Sequence, residues 1–68
     1  MKKGKIKFWN PDKFYGFITE QNSDADYFFH GTSLKYENPS EGDEVSFRET
    51  INRKKENQNI CAIEVTKI

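Results

Sequence analysis

The chain has 68 residues, of which 34% are hydrophobic and 32% charged, and its formal net charge at pH 7 is zero. This length predicts one small domain spanning residues 1–68, and an aromatic fraction of 15% disfavours a disordered chain. A membrane span is excluded because no segment approaches the roughly 20 consecutive apolar residues it needs, and no signal peptide is visible at the first residues.

Five short runs rich in β-branched and aromatic residues, separated by turn-forming residues, predict five strands. In chain order these are Lys3–Asn10, Phe14–Glu20, Asp26–His30, Glu44–Ile51 and Ile60–Thr66. Alternation places Val45, Phe47 and Ile51 on one face of the fourth strand. It places Ile63 and Val65 on one face of the fifth. Because closure removes exposed sheet edges, the fold class predicted is an all-β barrel.

The zero net charge conceals an uneven distribution of charged residues. Residues 1–19 carry a local charge of +4, residues 20–49 of −6 and residues 50–68 of +2. A basic first third favours a nucleic-acid partner, but lysines that merely solubilise a strand give the same pattern. The same two interpretations apply to the basic cluster Arg53-Lys54-Lys55 in the polar segment before the fifth strand.

Eight of the ten aromatic residues lie between positions 8 and 29, on the first three predicted strands. If Ile18 faces the interior, alternation turns Tyr15 and Phe17 outward, and the polar Asp26 and His30 turn Phe28 outward with them. Rings interleaved with a lysine such as Lys13 are typical of surfaces that bind single-stranded nucleic acid. Two alternatives are that the rings form one common core or that the face docks a protein partner.

Four segments carry a resemblance to a known family. Gly4–Asn10 resembles Gly-Lys-Val-Lys-Trp-Phe-Asn, and Lys13–Ile18 resembles the first ribonucleoprotein motif, Lys-Gly-Phe-Gly-Phe-Ile. Asp26–His30 resembles the second motif, Asp-Val-Phe-Val-His, and Glu41–Phe47 resembles Glu-Gly-Gln-x-Val-x-Phe. In this order and spacing, over essentially the whole chain, the motifs resemble those of bacterial cold-shock proteins, which consist of a single cold-shock domain.

The resemblance implies a five-stranded antiparallel barrel of the OB-fold class. It implies a protein that binds single-stranded RNA and DNA with little sequence selectivity, and we expect it to be a monomer. Such a protein acts as an RNA chaperone that keeps strands unpaired, often in the response to cold. The positions that match the family's nucleic-acid-binding residues are Lys7, Phe8, Lys13, Tyr15, Phe17, Phe28 and His30, with Tyr36 as a loop aromatic.

The order of two aromatic residues on the first strand departs from the family, because Phe8-Trp9 replaces Trp-Phe. Strict alternation groups Trp9 with Lys5 and Lys7 on the outer face. The family pattern instead places Phe8 outside and residue 9 on the core side, which requires a bulge. We favour the alternation, which leaves Trp9 exposed or half-exposed, and we include Lys5, Phe8 and Trp9 among the candidate binding residues.

Three further positions differ from the family pattern. Phe14 stands where the family has a glycine, and a left-handed backbone there would be strained for phenylalanine. Gly31 stands where an aromatic usually follows the histidine, so one stacking ring is missing. Tyr27 and Phe29 replace smaller valines, and the core must accommodate their extra volume.

The sequence predicts a binding protein and no enzyme. His30 is the only histidine, no Ser-His-Asp or Cys-His set is evident, and neither a metal site nor a cofactor is predicted. Cys61, the single cysteine, cannot close an intrachain disulfide and is expected to pack as a small buried hydrophobe. A reducing compartment, the cytoplasm, is therefore expected. We predict no membrane association and no small-molecule substrate.

Overall fold

The computed structural model describes residues 1–51 and 60–68, with only the backbone of Ile51 included. The strands are β1 (Lys2–Asn10), β2 (Tyr15–Glu20), β3 (Asp26–His30), β4 (Glu44–Ile51) and β5 (Ile60–Lys67), with a 3₁₀ turn at Gly31–Ser33. Each bound agrees with the sequence prediction to within one residue. The predicted Arg53-Lys54-Lys55 cluster lies outside the described residues, as does the side chain of Ile51.

The five strands form a closed barrel in the order β1-β2-β3-β5-β4. The predicted five-stranded barrel is therefore confirmed, but its pairing is mixed. β3 and β5 pair in parallel at Phe28 and Cys61, while the other four pairings are antiparallel. Within the described ranges, no helix has the length and apolar character needed to cross a membrane.

The barrel interior is filled by residues that alternate with exposed ones along the strands. Phe29 and Phe47 are fully buried, and Tyr27 is only 3% exposed, so the two enlarged positions of β3 are core residues. They share the main cluster with Ile6, Ile18, Val45, Ala62 and Val65. Cys61 is buried as expected.

The predicted shared face of Ile63 and Val65 on β5 is wrong. Glu64 has a φ of 50°, so strand alternation is interrupted between them. Val65 is fully buried, whereas Ile63 is only half-buried and Ala62 is buried instead.

The register of β1 against β2 shifts between Ile6 and Phe8. This bulge reverses the alternation expected for the second half of β1. Phe8 is 37% exposed, whereas Trp9 packs against the core. The alternation that grouped Trp9 with Lys5 and Lys7 is therefore wrong, and the family pattern with a bulge is correct. Trp9 is nevertheless half-exposed, within the range expected for it.

Gly16 of β2 lies opposite Trp9 and allows the strands to approach closely. A Cβ at this position would lie 2.3 Å from the carbonyl oxygen of Phe8 and 2.8 Å from the Phe29 ring. Glycines inside strands commonly mark such approaches. The glycine thus lets the core ring of Phe29 sit directly beneath the outer surface of β1 and β2.

Candidate nucleic-acid interface

Four aromatic rings form one continuous cluster on the outside of β1, β2 and β3. We call Phe8, Tyr15, Phe17 and Phe28 the aromatic face. Ring centroids are 5.8 Å apart for Phe8 and Tyr15, 5.7 Å for Tyr15 and Phe28, and 5.8 Å for Phe17 and Phe28. Phe17 and Phe28 are direct cross-strand partners, which fixes their spacing. All four rings keep part of their surface open to solvent.

A shallow groove of about 510 Å³ runs along this surface. It is lined by Lys13, Tyr15, Phe17, Asp26, Phe28, His30 and Ile60. The groove joins the rings to a cation at Lys13, a combination suited to a chain of bases linked by phosphates. Ile60 was not predicted from the sequence. It reaches the groove because β5 pairs in parallel with β3, a pairing that strand patterns do not reveal.

His30 lies at the end of β3, directly across from Tyr15. Its Nδ1 accepts a hydrogen bond of 3.3 Å from the backbone N–H of Thr32 and lies 3.0 Å from the Thr32 hydroxyl. These contacts cap the following 3₁₀ turn and fix the orientation of the imidazole ring. The exposed imidazole ring therefore lies beside Tyr15, at one end of the aromatic face.

Lys7 is held by an acidic residue of the neighbouring groove. Its Nζ donates to Asp26 Oδ2 at 2.8 Å, and Asp26 Oδ1 accepts from the Thr19 hydroxyl at 2.8 Å. The hydrogen bonds from Lys7 and then Thr19 lower the pKa of the Asp26 carboxyl. Lys7 thus lies at the interface, but its charge is partly neutralised.

Two other predicted residues lie apart from the aromatic face. Lys5 lines a separate groove of about 550 Å³ whose lining also includes Glu20, Asp24 and Glu44, so its surroundings are acidic. Tyr36 packs against the core, and its hydroxyl donates to Asp43 Oδ2 at 3.0 Å. Among the described residues, Tyr36 has no ring contact with the aromatic face, so its stacking role remains a prediction.

Trp9 lies behind the face, between the core and the surface. Its indole stacks on Phe29 with a centroid distance of 5.6 Å and an interplanar angle of 7°. Its other neighbour is Phe14, at 5.8 Å in an edge arrangement. Trp9 therefore connects the core ring of Phe29 to the surface ring of Phe14, and it is itself half-exposed.

Phe14 is an exposed ring that the sequence prediction did not include among the binding residues. It contacts His30 with centroids 5.4 Å apart. In the sequence, Phe14 is notable only because it stands where the family has a glycine. Its exposed fraction of 46% could not be inferred without the loop geometry.

Across residues 1–51 and 60–68, no group of three or more histidine, cysteine or acidic residues is arranged to hold a metal ion. The chemistry of the surface is accordingly that of rings, amines and one carboxylate. Such groups bind by stacking and charge attraction.

Comparison with known proteins identifies relatives along most of the chain. The family model described as the 'Cold-shock' DNA-binding domain matches residues 2–68. Cold shock protein CspB of Geobacillus stearothermophilus is 42% identical over 50 residues, covering 69% of this chain and 74% of that protein. Cold shock protein CspD of Bacillus subtilis gives the same identity and coverage. The cold shock-like protein CspA of Shewanella violacea is 36% identical over 47 residues, or 65% and 67% of the two chains.

A solved structure, "drosophila Unr CSD456", resembles the barrel with a TM-score of 0.76. The alignment covers 98% of this chain but only 26% of that chain, at 23% sequence identity. This likeness concerns the fold, and it agrees with the five-stranded barrel described above.

Proposed function

Because the chain belongs to the cold-shock domain family, a family of nucleic-acid-binding rather than catalytic proteins, we propose that it binds unpaired strands of RNA and DNA. It holds them open without sequence-specific contacts, as a nucleic-acid chaperone. Residues 1–68 act as one domain and as a monomer. The proposal also includes the cytoplasmic location and a role in the cold response.

The observation that carries the proposal is the aromatic face itself. A chain of this size buries only about 60% of the surface that it exposes when unfolded, so apolar rings outside the core represent lost stabilisation. Four contiguous, partly exposed rings are therefore costly unless a ligand covers them. Each base stacked on a ring contributes about 1–3 kcal/mol, and any of the four bases can stack, which accounts for low selectivity.

The mechanism is an equilibrium effect that needs no ATP. A protein that binds only the open strand lowers the free energy of that state and shifts duplexes toward it. The stacking free energy per base is comparable with the roughly 1.4 kcal/mol of one base-pair step in DNA. A few occupied rings therefore offset the loss of a few base pairs.

Electrostatics have a smaller part in this interface than stacking. The chain has no net charge, and Lys7 is paired with Asp26. Among the described residues that line the groove, Lys13 is the only lysine. We expect binding to weaken as salt rises, with a slope that corresponds to few phosphate contacts. An interface that docks a protein through its rings would depend on salt only weakly.

The test is titration of labelled strands followed by fluorescence anisotropy. An oligothymidine strand of about six or more nucleotides should bind, and a perfect DNA duplex of equal length should bind far more weakly, because paired bases cannot reach the rings. Unstructured RNA of the same length serves as the second ligand. Equal affinity for duplex and single strand, or no binding by either strand, would overturn the proposal and favour a protein partner for the face.

A further inference from the structure

Phe14 has a backbone conformation that phenylalanine disfavours. Its φ is 60°, in the left-handed region. Its N–H donates to the carbonyl of Asn10 at 2.8 Å, which closes a single helical turn. Turns of this kind usually end in glycine, which adopts the left-handed region without strain. Folding alone therefore does not explain a phenylalanine at this position, and its exposed ring calls for another role.

The ring of Phe14 rests on the backbone of Gly31. A Cβ at residue 31 would lie 2.5 Å from three carbons of that ring, so any side chain there would displace it. The Gly31 N–H also donates to the Phe14 carbonyl at 2.8 Å. Among the described glycines only Gly42 has a positive φ, so the Phe14 ring, and not the backbone of Gly31, requires glycine at position 31.

The Phe14 ring lies next to His30, at the same end of the aromatic face. Its centroid lies 5.4 Å from the imidazole of His30, with the planes at 86°, and 5.8 Å from the indole of Trp9. His30 in turn is the cross-strand partner of Tyr15 on the aromatic face. Lys13, the preceding residue, lines the groove together with His30.

We propose that Phe14, seated on Gly31, is an additional stacking ring that takes one unpaired nucleobase at the His30 end of the aromatic face. The proposal rests on the proposed function. Contacts with Gly31, His30 and Trp9 hold the ring before any ligand arrives, which lowers the entropic cost of binding. Position 31 is a glycine and lacks the stacking ring expected there. The Phe14 ring, from the neighbouring loop, occupies the space where a side chain of residue 31 would lie.

Two substitutions at Phe14 separate the ring from its backbone. Phe14→Gly removes the ring and relieves the left-handed strain, so affinity for oligothymidine should fall about fivefold to 150-fold while stability to urea does not decrease. Phe14→Leu keeps an apolar side chain and the strain but has no flat ring. It should lose a similar fraction of the affinity.

Gly31→Ala tests the same ring without deleting it. The added Cβ pushes the Phe14 ring off its contacts and toward solvent, so affinity should fall while folding changes little, because the ring is not part of the core. In the Phe14→Gly background the same Gly31→Ala substitution should have no further effect on affinity, because no ring remains to be displaced. This double-mutant cycle measures the coupling of the two positions directly.

Phe17→Ala serves as the reference for the aromatic face. If Phe17→Ala weakens binding and neither Phe14→Gly nor Gly31→Ala does, the role of Phe14 is wrong and the proposed function stands. If Phe14→Gly lowers the free energy of unfolding together with affinity, the ring is structural and the inference is overturned. If the unsubstituted protein binds no single strand, both the proposed function and this inference fail.

Discussion

Asp26 is an acidic residue that reduces the positive charge of the groove. It lines the groove between the rings, where its charge repels phosphates, and it holds the amine of Lys7 at 2.8 Å. The pair is exposed, with side chains 60% and 41% accessible, so it contributes little to folding. Its main effect is therefore on the charge that an incoming strand meets.

We expect Asp26→Asn to strengthen binding of oligothymidine several-fold at low salt. The substitution removes one negative charge from the groove and releases Lys7 to neutralise a phosphate, while an amide oxygen still accepts from Thr19. The plot of log affinity against log salt should become steeper by about 0.7, the value for one additional phosphate contact on a single strand. Titrations at four or more salt concentrations measure both quantities.

Glu64→Gln is the matched control for this substitution. Glu64 forms a comparable exposed ion pair with Arg48, at 3.1 Å, on β4 and β5 rather than on the aromatic face. Glu64→Gln changes the net charge of the chain by the same amount as Asp26→Asn, but it does not release Lys7. An equal gain in affinity from both variants would show that net charge alone, and not Lys7, is responsible.

At the scale of the strands, β2 and β3 each present one face to solvent, as part of the aromatic face, and the other to the core. Phe17 and Phe28 pair on the outside, while Ile18 and Tyr27 pair on the inside. We therefore expect the side of the sheet that a phenylalanine occupies to determine whether its loss affects binding or folding.

Phe17→Ala and Phe28→Ala should each lose about 1–3 kcal/mol of binding free energy to oligothymidine. Each should lose less stability than the roughly 3–5 kcal/mol expected for Phe47→Ala, because Phe47 is fully buried and its truncation leaves a cavity. Urea denaturation and titration at one fixed salt concentration measure both effects. Unfolding of the two surface variants as easily as Phe47→Ala would contradict this division of the sheet.

The strands and the inward residues of β2, β3 and β4 could be predicted from sequence because turn residues and two-residue alternation are local signals. The outward placement of Tyr15, Phe17 and Phe28 follows from the same signal. The inward position of Ala62 on β5 could not be predicted, because the positive φ of Glu64 interrupts the alternation. The position of Trp9 could not be predicted from alternation, because the bulge after Ile6 adds a residue that no local pattern marks.

Contacts between distant segments were also beyond the sequence pattern. The parallel pairing of β3 and β5 places Ile60 in the groove, and the packing of the Phe14 ring on Gly31 joins two loops. The local pattern placed Phe14 and Ile60 at the starts of predicted strands and Gly31 directly after the third strand. What it could not supply was the partner, since closing a barrel is a property of the whole chain.

At the scale of the whole molecule, hydrogen bonds between tyrosines and carboxylates link the strands. The Tyr27 hydroxyl lies 2.9 Å from Glu20 Oε1 and 3.2 Å from Glu49 Oε2, so it connects β3 to β2 and to β4. The hydrogen bond from Tyr27 lowers the pKa of Glu20. Burial, followed by the bond to Glu20, raises the pKa of Tyr27.

These pKa shifts predict stability that declines at both ends of the pH range. The lowered pKa of Glu20 gives stability that is fully present above about pH 4.3, the ordinary glutamate value, and is lost as pH falls through the lowered value. The raised pKa of Tyr27 gives stability that is present below about pH 10 and declines as pH rises further. Chemical denaturation at a series of pH values measures the profile.

Tyr27→Phe removes the group responsible for both effects. It should destabilise the barrel at neutral pH, and the difference from the unsubstituted protein should shrink in acid and in alkali. Tyr36→Phe is the comparison variant. Burial and then the hydrogen bond to Asp43 raise the pKa of Tyr36, just as burial and a carboxylate hydrogen bond do for Tyr27, but Tyr36 does not contact Glu20. A difference for Tyr27→Phe that stays constant from acid to neutral pH would contradict the coupling to Glu20.

The strand order of the barrel also has a consequence for how the protein is made. Since β5 inserts between β3 and β4, the barrel cannot close until β5 has left the ribosome. The aromatic face lies entirely on β1 to β3 and is therefore synthesised first, together with the core rings of Tyr27 and Phe29. We therefore expect the nascent chain to expose the core rings and the rings of the aromatic face together, until β5 pairs with β3 and β4 and encloses the core.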